Sequence, residues 1–170
     1  MKKIYILGHC GAGTTHLSKI ISSKLKIKAY DMDDVRFIKK FTKARTPEQR
    51  KVLVDKILKN NSWVIDARGT GWDRHAMLES DLILWLRTPA YKRVFRILKR
   101  YFGRRKDPNF QEKFSDVFIL IRYTLSFRSG TKVSSLKPLN KYLSENNLSP
   151  TIIRTNRQVR KWLKELEKRV

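Results

Sequence analysis

The sequence predicts an α/β domain, a five-stranded parallel sheet flanked by helices. Three observations carry this expectation. Short apolar runs of strand length alternate with segments whose apolar residues recur at helical spacing. One run, residues 81–86 (DLILWL), is nearly all apolar, as a strand buried on both faces should be. A glycine-rich turn, Gly8 to Gly13, joins the first run to the first helical segment.

The elements follow in order. Residues 3–8 (KIYILG) read as a buried strand. A helix follows over 14–24, with Leu17, Ile20, Ile21 and Leu25 on one face. Residues 26–30 read as a second strand, closed by the acidic run Asp31-Met32-Asp33-Asp34. Thr46-Pro47-Glu48 is a helix start with proline in the first turn, and Asn60-Asn61 ends that helix. Residues 62–67 (SWVIDA) are the third strand, 68–71 a loop, and 80–86 the fourth strand. Thr88-Pro89 opens a helix to about Phe102, and 103–108 form a basic connector. A helix is expected over 110–127, a loop over 129–137 and a helix over 138–147. Residues 151–154 are the fifth strand and 156–169 the last helix. Strands alternating with helices argue for crossover connections in a parallel sheet. No repeat, low-complexity tract or linker divides the chain, so one domain over 1–170 is expected.

A chain of 170 residues with 41% apolar composition can bury its own core. The single cysteine, Cys10, excludes an internal disulfide framework. After Met1-Lys2-Lys3 the apolar run stops at Gly8, too soon for a secretory signal core. The longest later apolar run, 117–121, is far below the roughly 20 residues that span a bilayer. A soluble cytoplasmic protein with no membrane partner is the expectation. The 39 Lys+Arg against 15 Asp+Glu leave a net charge of +24, which attracts polyanions: nucleotides, nucleic acid or anionic membranes. A host with a basic proteome or a salty cytoplasm is the less favoured explanation of the charge.

The chemistry concentrates at the first turn. Gly8-x-x-x-x-Gly13 has the Walker A spacing, between a strand and a helix whose first amides can face phosphates. Thr15 stands where a hydroxyl binds Mg2+, and Thr14 stands where such loops carry lysine. Gly8, Gly11, Ala12, Gly13, Thr14 and Thr15 are therefore the nucleotide-binding candidates. The missing lysine leaves three outcomes. Another cation substitutes (Lys2, Lys3, Lys19 or a later arginine), nucleotide binds without turnover, or another phosphate-bearing ligand binds. His9 and Cys10 read as fillers of the loop. His16 reads as exposed, and with His75 far away no metal cluster is indicated.

Acids close the second and third strands. Asp33 can orient an acceptor hydroxyl, hold Mg2+ through water, or cap a helix; capping is favoured for Asp31 and Asp34. Asp66 ends an apolar strand as a Walker B acid does, which makes it a metal candidate with Thr15. Arg68, Trp72 and Arg74 follow, an aromatic flanked by arginines that can stack on a base and neutralise phosphate; Trp72 could equally cap the core. Arg93, Arg96, Arg100 and Arg104 recur at helical spacing along one stripe, opposite Val94, Ile97, Leu98 and Tyr101. Such a stripe is either a solvated basic face or a lid of charge-neutralising guanidiniums.

Taken together, KIYILG with GAGTT and the helix LSKIISSKL, AYDMDD, SWVIDA, ESDLILWLRTP, RVFRILKR and PTIIRTNRQVRKWLKEL resemble the adenylate-kinase-like branch of P-loop kinases. They are most similar to the DNA topology modulation protein group, over nearly the whole chain. The resemblance implies a P-loop NTPase fold of nucleoside/nucleotide-kinase type, with ATP or GTP and Mg2+ at the loop. It also implies an arginine-rich lid at about 93–108. It places Asp33 facing a small phosphoryl acceptor, Arg96 and Arg100 in the lid as catalytic residues, and Arg154, Thr155 and Asn156 near the base. The chain departs from the family at Thr14 and at Arg87, where relatives tend to carry an acid. The expected function is a kinase transferring the γ-phosphoryl of ATP or GTP. The alternatives are an impaired P-loop domain binding nucleic acid through its basic surface, and a regulatory nucleotide-binding subunit.

Overall fold

The computed structural model describes residues 2–38, 43–104, 114–127 and 135–168. Strand β1, Lys3–Gly8, sits at the centre of a five-stranded parallel sheet, with β3 (Trp63–Ala67) and then β2 (Ala29–Asp31) on one side and β4 (Leu82–Leu86) and then β5 (Thr151–Ile153) on the other. Its alternating side chains build the two sides of the core. Tyr5 and Leu7 join Trp63, Ile65, Met77 and Leu139 on one face. Ile4 and Ile6 join Leu17, Ile21, Val64 and Leu84 on the other. Burial on both faces is why the strand is apolar throughout, and each such side chain contributes about 1.5–3 kcal/mol relative to exposure.

Helix α1, Thr14–Leu25, starts at Gly13 and ends at Lys26, both in the left-handed region at φ 100° and 54°. Lys26 therefore closes the helix, so β2 begins later than expected, as Ala29–Asp31. The acidic run is a short helix, α2, Met32–Arg36. Asp31 caps it by accepting a hydrogen bond from the Asp33 amide at 2.8 Å. Helix α3, Pro47–Leu58, opens with a capping box between Thr46 and Gln49, followed by β3, Trp63–Ala67, buried throughout. A four-residue helix, α4, His75–Leu78, lies between the loop at 68–71 and the fourth strand, where the sequence reading assigned no element.

Strand β4, Leu82–Leu86, leads into α5, Ala90–Arg104, which packs on α6, Phe114–Leu125, through Ile97, Tyr101 and Val117. The helix extends past Phe102, so the connector expected from Gly103 starts no earlier than residue 105. Residues 105–113 and 128–134, which hold that connector and most of the loop expected over 129–137, lie outside the described residues. Helix α7, Leu136–Glu145, takes Pro138 within its first turn, where a missing N–H costs nothing. Strand β5, Thr151–Ile153, and α8, Asn156–Glu167, complete the order, with a second capping box between Thr155 and Gln158. Among the described residues, no helix is long and apolar enough to cross a membrane.

The register fixes where chemistry can occur. Ile6 pairs with Asp66, Asp66 with Asp31, and Gly8 with Leu86. The ends of β1, β2 and β3 thus open on one crevice beyond the sheet's carboxyl edge, the side on which open parallel sheets bind ligands.

Candidate active site at the first strand–helix turn

The turn after β1 is held tight on both sides. A Cβ at Gly8 would lie 2.3 Å from the Thr14 methyl. A Cβ at Gly11, whose φ is +74°, would lie 2.6 Å from the Arg93 carbonyl oxygen. The first turns of α5 therefore press directly on the loop, and no side chain fits between them. The Ala12 amide donates to the His9 carbonyl at 2.9 Å, and the Thr88 hydroxyl donates to the Ala12 carbonyl at 3.0 Å. Thr14 is buried with its methyl folded back on Gly8.

Beyond the turn lies a cavity of about 260 Å3. Gly8, Gly11, Gly13, Thr14 and Thr15 line one wall, and Asp33, Asp66 and Arg68 another. Arg36, Arg96 and Arg100 bring three further guanidiniums to it. Thr15 and Asp66, 51 positions apart, meet there: the Thr15 hydroxyl donates to Asp66 Oδ2 at 2.6 Å. Burial pushes the Asp66 carboxyl up to about 6, against the opposing pull of the Thr15 and Thr14 hydroxyls and with added repulsion from Asp31 and Asp33. One hydroxyl and one carboxylate are hard oxygen donors that fit Mg2+, which takes few protein ligands and completes its shell with phosphates and water.

Asp33 is not open to the cavity alone. Both its carboxylate oxygens accept from Arg68 Nη2 at 2.5 Å. The capping role considered for it belongs to Asp31. Arg96 lies on the loop itself, its Nη1 donating to the carbonyls of Gly11 at 3.2 Å and Ala12 at 2.8 Å. Its Nη2 donates to Asn156 Oδ1 at 3.1 Å. A second hollow of about 450 Å3 shares Gly13 and Arg96 with the first. Ala12, Arg154, Thr155 and Asn156 line it, together with Leu17 and Ile153.

The chain superimposes along nearly its whole length on solved shikimate kinases. The enzyme from Acinetobacter baumannii, solved with shikimate, matches with a TM-score of 0.59 at 18% identity, over 99% of this chain and 94% of that one. The enzyme from Bacteroides thetaiotaomicron matches with a TM-score of 0.56 at 16% identity, over 97% of this chain and 96% of that one. The chain shares the fold of these enzymes, a five-stranded parallel sheet flanked by helices. In sequence, the chain is 35% identical over 104 residues to the uncharacterized protein YqaC of Bacillus subtilis (strain 168). That match spans 61% of this chain and 58% of the relative's length. No family model matches the chain.

Within this fold several sequence expectations change. The stripe of four arginines splits. Arg96 and Arg100 reach the cavity, whereas Arg104 is exposed and not among its lining residues. Arg93 is buried, its guanidinium over the Phe127 ring at 5.3 Å and donating to the Thr124 carbonyl at 3.2 Å. The reason is rotational: Arg93, Ile97 and Tyr101 share the face turned to the interior. Arg74 also turns inward, donating from Nε to the Gly69 carbonyl at 3.0 Å and stacking on Tyr142. Trp72 does line the cavity, with the Arg50 guanidinium 5.3 Å from its ring centre. Arg87 lies over Trp85 and lines neither hollow.

Of the cations considered for the place of the missing lysine, only arginines are near. Lys3 pairs with Glu79 at 3.3 Å, and Lys2 and Lys19 are exposed away from the cavity. His16 is exposed, as expected. His9 is buried against Tyr123 and Phe127 at ring distances of 4.5 and 4.8 Å. Burial, with Arg93 and Arg68 nearby, pushes it down to about 3, so it is neutral and carries no phosphate charge.

Two lining residues escaped sequence reasoning. Arg36 lies one turn beyond Met32 in α2, and the acidic run hid that a helix begins there. Asp73 is 1% exposed and accepts from the Thr70 hydroxyl at 3.1 Å. Burial pushes it up to about 7. Its only sequence signal was an acid in a glycine-rich loop, which reads as a turn residue.

Proposed function

We propose that this chain is a nucleotide-binding P-loop protein of nucleoside/nucleotide-kinase type. It transfers the γ-phosphoryl of ATP or GTP to a small hydroxyl- or phosphate-bearing acceptor. The observation that carries this reading is the convergence, in one cavity, of the glycine turn, the Thr15–Asp66 pair and four arginines.

In this reading the amides of Gly11 to Thr15 hold the donor phosphates, as the first turn of a helix does. Thr15 and Asp66 would hold Mg2+, which screens phosphate charge when bound. Arg96 takes over the charge that lysine supplies elsewhere, since its Nη1 lies 3.2 Å from where a Cβ on Gly13 would stand. Arg100 neutralises the group in transfer from the lid side. Asp33, held by both oxygens to Arg68, orients the acceptor in the cavity rather than abstracting its proton alone. The base occupies the second hollow beside Arg154. The reading treats 1–170 as a single cytoplasmic domain with a lid-like region at about 93–108. Within P-loop kinases it places the chain beside the DNA topology modulation group.

The net charge of +24 favours one rival, an impaired domain that binds nucleic acid through its surface. Titration with Mg-ATP and Mg-GTP, followed by a turnover assay over nucleosides and nucleoside monophosphates, separates the two. Saturable turnover supports the kinase. Salt-sensitive binding to DNA or RNA with no nucleotide affinity replaces it with the rival.

A further inference from the structure

Helices α5 and α6 expose two apolar stripes of identical spacing. On α5, Tyr91, Phe95 and Phe102 are 69, 65 and 55% exposed. On α6, Phe114, Phe118 and Leu125 repeat the same intervals at 57, 63 and 58%. Offsets of four and seven residues keep each set on one helical face. The stripes meet at Tyr101, whose ring packs on Phe102 at 5.5 Å and on Phe114 at 5.7 Å. Through Tyr101 the two stripes are joined where α5 ends and α6 begins, and six large apolar side chains are more exposure than isolated residues require.

The charges on α5 beside this face are of one sign, and α6 sets Arg122 against Asp116. Helix α5 contains no Asp or Glu and carries Lys92 and Lys99, both exposed, on the flank of its stripe. The Lys92 ammonium lies 5.8 Å from the Tyr91 ring centre. Helix α6 has a single acid, Asp116. The faces of α5 that bear Arg96 on the phosphate loop and Tyr91 outward are different, so occupying one leaves the other free.

We propose that the α5–α6 face docks on an anionic phospholipid surface. An occupant must offer negative charge at its boundary and hydrocarbon behind it, and an acidic leaflet offers both. The face would lie in the headgroup layer, with the aromatic and leucine side chains inserted and the lysines on lipid phosphates. A second copy of the chain is disfavoured because it brings the same +24 charge to the contact. Single-stranded nucleic acid would use ring faces for stacking, and Leu125 gives it nothing to stack on. The sequence reading expected no membrane partner of any kind, and this proposal departs from it; it requires no spanning segment.

The test is co-sedimentation of the full chain with phosphatidylcholine vesicles, with and without phosphatidylglycerol. Binding at least about tenfold tighter to the acidic vesicles is expected, given roughly 1 kcal/mol per basic residue near the surface. The variant Phe95→Ser/Phe118→Ser should lose that binding by about tenfold or more while keeping its thermal midpoint, since both side chains are exposed. Lys92→Glu/Lys99→Glu should weaken it comparably. No binding to acidic vesicles overturns the proposal. So does binding undiminished by the serine pair, which would mean diffuse charge alone. A dimer in solution, or DNA binding, that the serine pair removes without any vesicle binding assigns the face to another partner and also overturns it.

Discussion

Arg96, in the second turn of α5, donates from Nη1 to the carbonyl oxygen of Ala12 at 2.8 Å, 84 positions away in the turn after β1. One guanidinium therefore ties α5 to the loop and brings a positive charge beside Gly13. Replacing it with methionine keeps an unbranched apolar stem and removes the charge. Arg96→Met should weaken Mg-ATP binding about ten- to a hundredfold, the range for a hydrogen bond to a charged group. Calorimetric titration checks this; unchanged affinity would assign Arg96 a purely structural part.

Asp66 should make metal binding depend on pH. Its carboxyl is raised to about 6 and must be ionised to hold a cation. Mg2+-dependent nucleotide binding should therefore fall as pH drops through about 6. Asp66→Asn should remove most of the Mg2+ dependence at neutral pH while leaving the loop amides in place. Binding measured with and without Mg2+ across pH 5 to 8 decides it.

Asp73 should act on stability with the opposite sense to an ion-paired acid. Its folded value of about 7 lies above the ordinary 3.8. Below about pH 4 the carboxyl is protonated in both states, and its full contribution is present. As pH rises the unfolded chain ionises first, so stability is lost progressively up to about 7. Asp73→Asn keeps the acceptor for Thr70 without the charge. It should raise the melting temperature at pH 8 and change it little at pH 4. An equal change at both would show that charge is not the cause.

Arg93 carries a buried guanidinium whose Nε and Nη1 have no hydrogen-bond partner among the described residues. Taking that charge out of water is not repaid by the single bond to Thr124. Arg93→Met should leave stability unchanged or raise it by about 1 kcal/mol or more, read from denaturant midpoints. A loss of more than about 1 kcal/mol would contradict this reading.

The sheet was legible because β1, β3 and β4 are buried on both faces and read as continuous apolar runs. The glycine turn was legible because Gly11 and Gly13 adopt backbone angles that other residues avoid. Pairings across space were not. Nothing local to Asp33 announces Arg68, 35 positions on, and the Thr15–Asp66 bond follows only from the register of β1 and β3. Helical spacing placed four arginines on one stripe but could not show that Arg93 turns toward α6 while Arg96 lies on the loop. Helices α2 and α4 were missed because, at five and four residues, they are too short to show a period.

The central claim is that Arg96 stands in for the lysine absent at position 14, and a double-mutant titration tests it most directly. Thr14→Lys alone should strengthen Mg-ATP binding modestly, because a guanidinium already serves the loop. Introduced into Arg96→Met, the same lysine should recover most of the lost affinity, a gain clearly larger than in the wild-type background. If the two substitutions instead add independently, or if the wild-type protein shows no saturable heat with Mg-ATP at all, the account is wrong.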